Sequence, residues 1–123
     1  MNDRELLELA ARAAGMNIQR SRLDDPLHRD FLMNGEGVRN PGQCSFPWNP
    51  LTDDGDALRL AVKLGLTVDI DLDESWTAID YTADYQDKEI REGHGGGTDP
   101  YGATRLAIVR AAAEIGKSMG GGE

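Results

Sequence analysis

The chain has few large apolar side chains from which to build a core. Leucine, isoleucine, valine and phenylalanine together make up only 25 of its 123 residues, a share near the border at which chains stay unfolded. These residues fall in periodic segments, and 13 alanines favour helices at small cost. We therefore expect one small folded domain over residues 1–119, followed by a frayed glycine-rich tail at 120–123.

Three segments have the apolar spacing of three and four residues that is typical of helices: 3–14, the later part of 49–65, which Gly65 ends, and 100–118. A capping residue is available before each of them, namely Asn2 or Asp3, Thr52 or Asp53, and Asp99. In the second helix we expect Leu58, Ala61 and Val62 to be buried. Trp48 and Trp76 are the expected aromatic anchors of the core.

Residues 66–73 alternate strictly between apolar and acidic side chains. Val68, Ile70 and Leu72 face one way, and Asp69, Asp71 and Asp73 face the other, which predicts a half-buried strand. Residues 76–82 also have strand composition, and the short turn before them favours an antiparallel hairpin.

The remaining segments are less regular. Turn signals interrupt residues 16–45, where one or two strands of a hairpin are expected, and Pro47 limits a short strand at 44–48 to an edge or an end. Residues 83–98 are polar and end in glycines, so we interpret them as a flexible loop. The expected fold class is α+β: a small, mostly antiparallel sheet layered with three helices, similar to an αβα sandwich.

The acidity of the chain is local. The formal net charge is −9, and residues 53–92 hold twelve acidic and four basic side chains, so they carry eight of the nine negative charges. This charge argues against nucleic-acid binding through phosphates and against docking on anionic membranes. The acidic residues of this segment form either a solvated surface or a site for a basic partner protein. The predicted partner-binding residues are Asp69, Asp71, Asp73, Glu74 and Asp80.

A second candidate site lies around the start of the middle helix. Aromatic and amide groups beside a helix N-terminus suit a polar ring ligand such as a nucleotide. The residues predicted for this ligand site are Trp48, Asn49, Asp53, Asp54, Asp56 and His94. Helix capping explains some of these carboxylates equally well.

Several motif-like spacings fail in their context. The acidic residues from Asp69 to Asp80 have calcium-loop spacing but lack the required glycine, since Glu74 occupies the sixth place. The lipase-like pair at 94–97 and 116–120 has no strand before Ser118. We therefore predict no catalytic residue, no metal site and no cofactor, and an enzyme is the less favoured class.

No signal peptide and no long uncharged apolar segment are visible in the sequence. The single cysteine, Cys44, has no partner for an internal disulfide. These features favour a cytoplasmic protein.

Three segments are similar to a known group of proteins: ELLELAARAAG at 5–15, WNPLTDDGDALRLAVKLGL at 48–66 and PYGATRLAIVRAAAEIGKSM at 100–119. They resemble small phage and prophage proteins of the phage α-β-α sandwich domain group, over about two-fifths of the chain. The middle segment is the most specific. The resemblance implies a layered α/β domain and a phage origin, hence the cytoplasm of a bacterial host, and it transfers no catalytic residue.

Two functions follow as hypotheses. The first is a non-enzymatic phage accessory protein that binds a host or phage protein through its acidic surface, for example to inhibit a host defence system. The alternative is a small-molecule or nucleotide-binding module of a phage. Both functions are compatible with a homo-oligomer.

Overall fold

The computed structural model of the protein describes residues 2–15, 18–20, 32–34, 46–95 and 99–119. These residues form three helices and two three-stranded antiparallel sheets. The structure thereby confirms the α+β class and the single small domain expected from the sequence. Outside the described residues lie the predicted tail at 120–123, Cys44 and most of the segment 16–45.

The helices are α1 (Asp3–Ala14), α2 (Asp54–Leu64) and α3 (Pro100–Met119). One sheet contains β1 (Ile18–Arg20), β2 (Leu32–Asn34) and β3 (Phe46–Trp48), and the other contains β4 (Thr67–Asp71), β5 (Trp76–Ala83) and β6 (Gln86–Gly93). In each sheet the strands lie side by side in chain order. Pro47 therefore lies on an edge strand, as predicted.

The first two helices begin and end where capping chemistry predicts. The Asn2 side chain accepts a hydrogen bond from the Glu5 amide at 2.9 Å, and Asp53 accepts one from the Asp56 amide at 2.8 Å. Gly15 and Gly65 end α1 and α2 in the left-handed conformation, with φ of 67° and 65°. Of the alternatives that the sequence left open, Asn2 and Asp53 are the caps.

Helix α3 is the centre of the core. It packs against α1, against α2 and against all three strands of the β4–β6 sheet. Its buried face is built mainly from alanines, with Ile108 and Val109 among them. Gly116 lies directly against the backbone of α1 at Leu9. Small side chains let the helices approach closely, which explains how a chain with few large apolar residues closes a core.

The sheet contributes its largest buried side chains from β5. Ile79 is fully buried and is paired in register with Val68 on β4 and Ile90 on β6. Trp48 is also buried and belongs to the same core. Trp76 is only partly buried, so just one of the two predicted aromatic anchors is a core residue.

The prediction of a loop over residues 83–98 is wrong for most of that segment. Residues 86–93 form β6, which is joined to β5 by a two-residue turn at Asp84 and Tyr85, both with positive φ. The strand was missed because Ile90 is its one buried side chain, so no apolar alternation marks it. Backbone pairing with β5 holds it in the sheet.

The expected burial of two apolar stripes is wrong for most of their residues. In α2, Ala61 is buried as predicted, but its buried neighbours are Ala57 and Leu60, whereas Leu58 and Val62 are 63% and 72% exposed. In β4, Val68 and Ile70 are 38% and 49% exposed. Periodicity identified apolar faces, but only the tertiary arrangement decides which of them another element covers.

Candidate functional site

The β4–β6 sheet has an outer face that α3 does not cover. Strand pairing places Thr67, Asp80 and Glu89 in one row of this face, and Asp69, Ala78 and Arg91 in the next. In the described strands the face carries five carboxylates and one cation: Asp69, Asp71, Asp80, Asp87 and Glu89, with Arg91. We call this set the acidic face.

Three of the five predicted partner-binding residues belong to the acidic face: Asp69, Asp71 and Asp80. The other two, Asp73 and Glu74, are exposed in the turn after β4, where the Glu74 amide donates to the Asp71 side chain at 2.9 Å. Sequence reasoning missed Asp87 and Glu89 because it treated β6 as a loop. The available signal was Asp84, a residue type that tolerates the left-handed turn conformation.

The single cation of the acidic face is already engaged. Arg91 Nε lies 2.8 Å from Glu89 Oε1, and the guanidinium stacks over the Trp76 ring at 4.3 Å from its centroid. Asp69 and Asp80 have no ion-pair partner among the described residues. The face therefore presents uncompensated negative charge on a hydrogen-bonded sheet.

One end of the acidic face borders a polar cavity of about 520 Å³. Asp80, Asp87 and Glu89 line it together with Tyr81 and Lys88. The pKa of Tyr81 is raised by burial and by the nearby Glu114, while Arg110 lowers it. The Tyr81 hydroxyl therefore stays protonated and neutral at neutral pH.

A second feature lies on the helix side of the sheet. A groove of about 570 Å³ runs between α2 and β4, with the first half of α3 as its floor. Its walls are apolar: Leu58 and Ala61 on α2, Val68 and Ile70 on β4, and Tyr101 and Ile108 on α3. The sequence did not predict this groove, because the alternation in β4 places Val68 and Ile70 in the core.

The structure brings five of the six predicted ligand-binding residues together around the start of α2. Asn49 forms a tight turn in which its side chain accepts from the Leu51 amide at 3.0 Å, and its own amide donates to Asp56 Oδ2 at 3.0 Å. Trp48, just before this turn, is buried. Asp53 is the helix cap. These polar groups thus satisfy one another locally.

Asp54 joins the start of α2 to α3. Its Oδ1 atom accepts from Arg105 Nη1 at 2.6 Å, and Arg105 Nε donates to the Leu51 carbonyl at 2.9 Å. Asp56 in turn lies 2.8 Å from Arg59. Of the carboxylates predicted to contact a ligand, Asp54 links the two helices, whereas Asp53 and Asp56 make their contacts within α2 and the turn before it.

His94, the sixth predicted ligand residue, has different partners. Its Nε2 atom lies 2.7 Å from Thr77 Oγ1, and the same hydroxyl lies 3.0 Å from Thr104 Oγ1. The His94 amide also donates to the Ser75 carbonyl at 2.8 Å. These contacts tie the end of β6 to β5 and α3.

We expect Thr77→Val to lower the free energy of unfolding by about 1–3 kcal/mol, because it removes the fully buried hydroxyl shared by His94 and Thr104. Urea unfolding measures this change. Thr82→Val is the matched control, since Thr82 is an exposed residue of the same strand whose hydroxyl contacts Asp87. Equal losses in the two variants would contradict a role for the buried hydroxyl.

In the described part of the chain, no group of three or more His, Cys, Asp or Glu side chains is arranged to hold a metal ion. Among the described helices, none has the length and apolar character needed to cross a membrane. No family model, curated protein or solved structure matches the chain.

Proposed function

We propose that the protein is a non-enzymatic phage or prophage accessory protein that binds a host or phage protein through its acidic face. The observation that carries the proposal is the register of β4, β5 and β6, which collects five carboxylates on one surface beside a single engaged cation. The similarity of residues 48–66 to small phage proteins supports the phage origin and a place in the bacterial host cytoplasm.

The partner that this surface suits has a basic binding region. Complementary charge speeds encounter and excludes partners of the wrong sign, and a sheet holds its carboxylates in fixed positions. Inhibition of a host defence system is one concrete form of such binding. The alternative of a nucleotide-binding module has less support, because Asn49, Asp53 and Asp56 already use polar atoms in capping bonds.

We expect the triple change Asp69→Lys, Asp71→Lys and Asp73→Lys to weaken partner binding by at least about tenfold while the domain stays folded, since Asp69 and Asp73 are exposed and Asp71 is only half-buried at the end of β4. Affinity capture from a lysate of the bacterial host, quantified for the wild type and the variant, measures the effect. Added salt should also weaken wild-type binding.

A charge-matched control reverses Asp3, Glu5 and Glu8, which are exposed on α1. This control changes the net charge by the same amount at a different surface. If both triple variants retain the wild-type partners, or both lose them equally, the acidic face is not the binding surface. Thermal unfolding of each variant confirms that a loss of binding does not reflect a loss of fold.

A further inference from the structure

Strand β4 lies at the edge of its sheet. It pairs with β5 over Thr67–Asp71, and the sheet order gives it no second partner among the described strands. An edge strand of this kind presents free backbone N–H and C=O groups to any extended segment that approaches it.

The apolar groove begins at the same edge. Val68 and Ile70 form its β4 wall, and Leu58 of α2 faces them across the gap. Helix α2 packs mainly against α3, and a groove of about 570 Å³ separates its Leu58 side from β4. The groove therefore lies beside the edge of β4, where the inward side chains of an added strand would be placed.

The two sides of β4 dictate what an added strand must look like. Side chains of a strand alternate, so every second residue of a neighbour would enter the groove beside Val68 and Ile70. The residues between them would stand on the acidic face beside Asp69 and Asp71. The first set must be apolar and the second basic.

We propose that an extended partner segment with alternating apolar and basic residues adds to the edge of β4 that no described strand pairs with, as a fourth strand, and fills the groove beneath α2. The inference rests on the proposed function, because it identifies the part of the basic partner that reaches this edge. Backbone hydrogen bonds supply affinity, and the alternating side chains supply specificity.

A second copy of the chain is a poorer occupant. Pairing β4 with β4 of another molecule would set Asp69 and Asp71 of both copies side by side on the outer face. Like charges in neighbouring cross-strand positions destabilise a sheet. A helical partner would cover the apolar walls of the groove but leave the β4 backbone without hydrogen bonds.

The first test uses a synthetic peptide of alternating valine and lysine, about nine residues long so that it spans β4 with some overhang. Fluorescence anisotropy should show binding to the full chain. A peptide with the same composition in two blocks, and one N-methylated at every second amide on the side facing β4, should each bind at least about tenfold more weakly. Equal binding of all three peptides would overturn the proposal.

The second test changes the groove without changing charge. The double variant Val68→Thr and Ile70→Thr keeps β-branched residues on a strand, and both positions are already partly exposed, so the fold should persist. We expect about tenfold weaker binding of the alternating peptide. The control Val62→Thr changes an exposed valine of α2 that does not line the groove, and should bind as the wild type does.

The outcomes separate this inference from the proposed function. If the alternating peptide does not bind, or binds equally to the double variant, the fourth strand is overturned, while lysate capture still tests the acidic face independently. If sedimentation shows a wild-type dimer that the double variant loses, the groove belongs to a second copy and the inference is equally overturned. Peptide binding that requires Val68, Ile70 and the alternating order supports it.

Discussion

Gly116→Ala is expected to lower the free energy of unfolding by about 3 kcal/mol or more, because there is no room for a methyl group at this position. A Cβ atom added to Gly116 would lie 1.9 Å from the Leu9 carbonyl oxygen and 2.8 Å from its carbonyl carbon. Both are backbone atoms of α1, so a side-chain rotation cannot relieve the clash. Helix α1 would have to move away from α3, and the alanine contacts between them would open.

Gly102→Ala is the control for Gly116→Ala in the same helix. There the added Cβ would lie 3.2 Å from Asp99 Oδ1 and 3.7 Å from an Arg105 nitrogen, which are side-chain atoms that can move slightly. Alanine also favours a helix over glycine by about 1 kcal/mol, so we expect little net change. Chemical unfolding of both variants measures the difference. A Gly116→Ala protein as stable as the wild type would contradict the close approach of α1 and α3.

Ile79→Ala is expected to lower the free energy of unfolding by about 2–5 kcal/mol, whereas Ile70→Ala should lower it by well under half as much. Ile79 is fully buried in the central strand, between its register partners Val68 and Ile90. Removing its side chain leaves a cavity that surrounding residues can fill only in part. Ile70 lies on the edge strand and is 49% exposed, so less apolar surface returns to water on unfolding.

Urea unfolding of the two alanine variants, analysed with a common m-value, gives the comparison. The pair is informative because it changes the same residue type in adjacent strands of one sheet. Similar losses at Ile70 and Ile79 would show that Ile70 is covered in solution, and would therefore contradict the open groove.

The helices were predictable because their signals are local. Asn2 and Asp53 cap α1 and α2 within three residues, and Gly15 and Gly65 end them. The hairpin of β4 and β5 was also predictable, since a turn separates two segments of strand composition. Strand β6 was not, because it is held mainly by backbone pairing that leaves no mark in its side-chain pattern.

The candidate site was predictable only in the part that depends on residues close together in the chain. Asp69 and Asp71 share a face through the alternation of one strand, which a sequence displays directly. Asp80 lies on the same face only because β5 pairs with β4 in the hairpin. Asp87 and Glu89 lie there only because β6 pairs with β5. Conversely, the sequence grouped Asp53, Asp54 and Asp56 correctly. Only the contacts of this group with Arg105 and with the Asn49 turn show that these carboxylates have structural roles.

Residues close together in the chain specify the α+β class, the ends of the first two helices to within about one residue and the location of the negative charge. The tertiary structure decided which apolar faces are covered. Leu60 is buried whereas Leu58 is exposed, and Ile79 is buried whereas Ile70 lines a groove. A hydrophobic period shows that a face is apolar, but its burial depends on a distant element that the period does not specify.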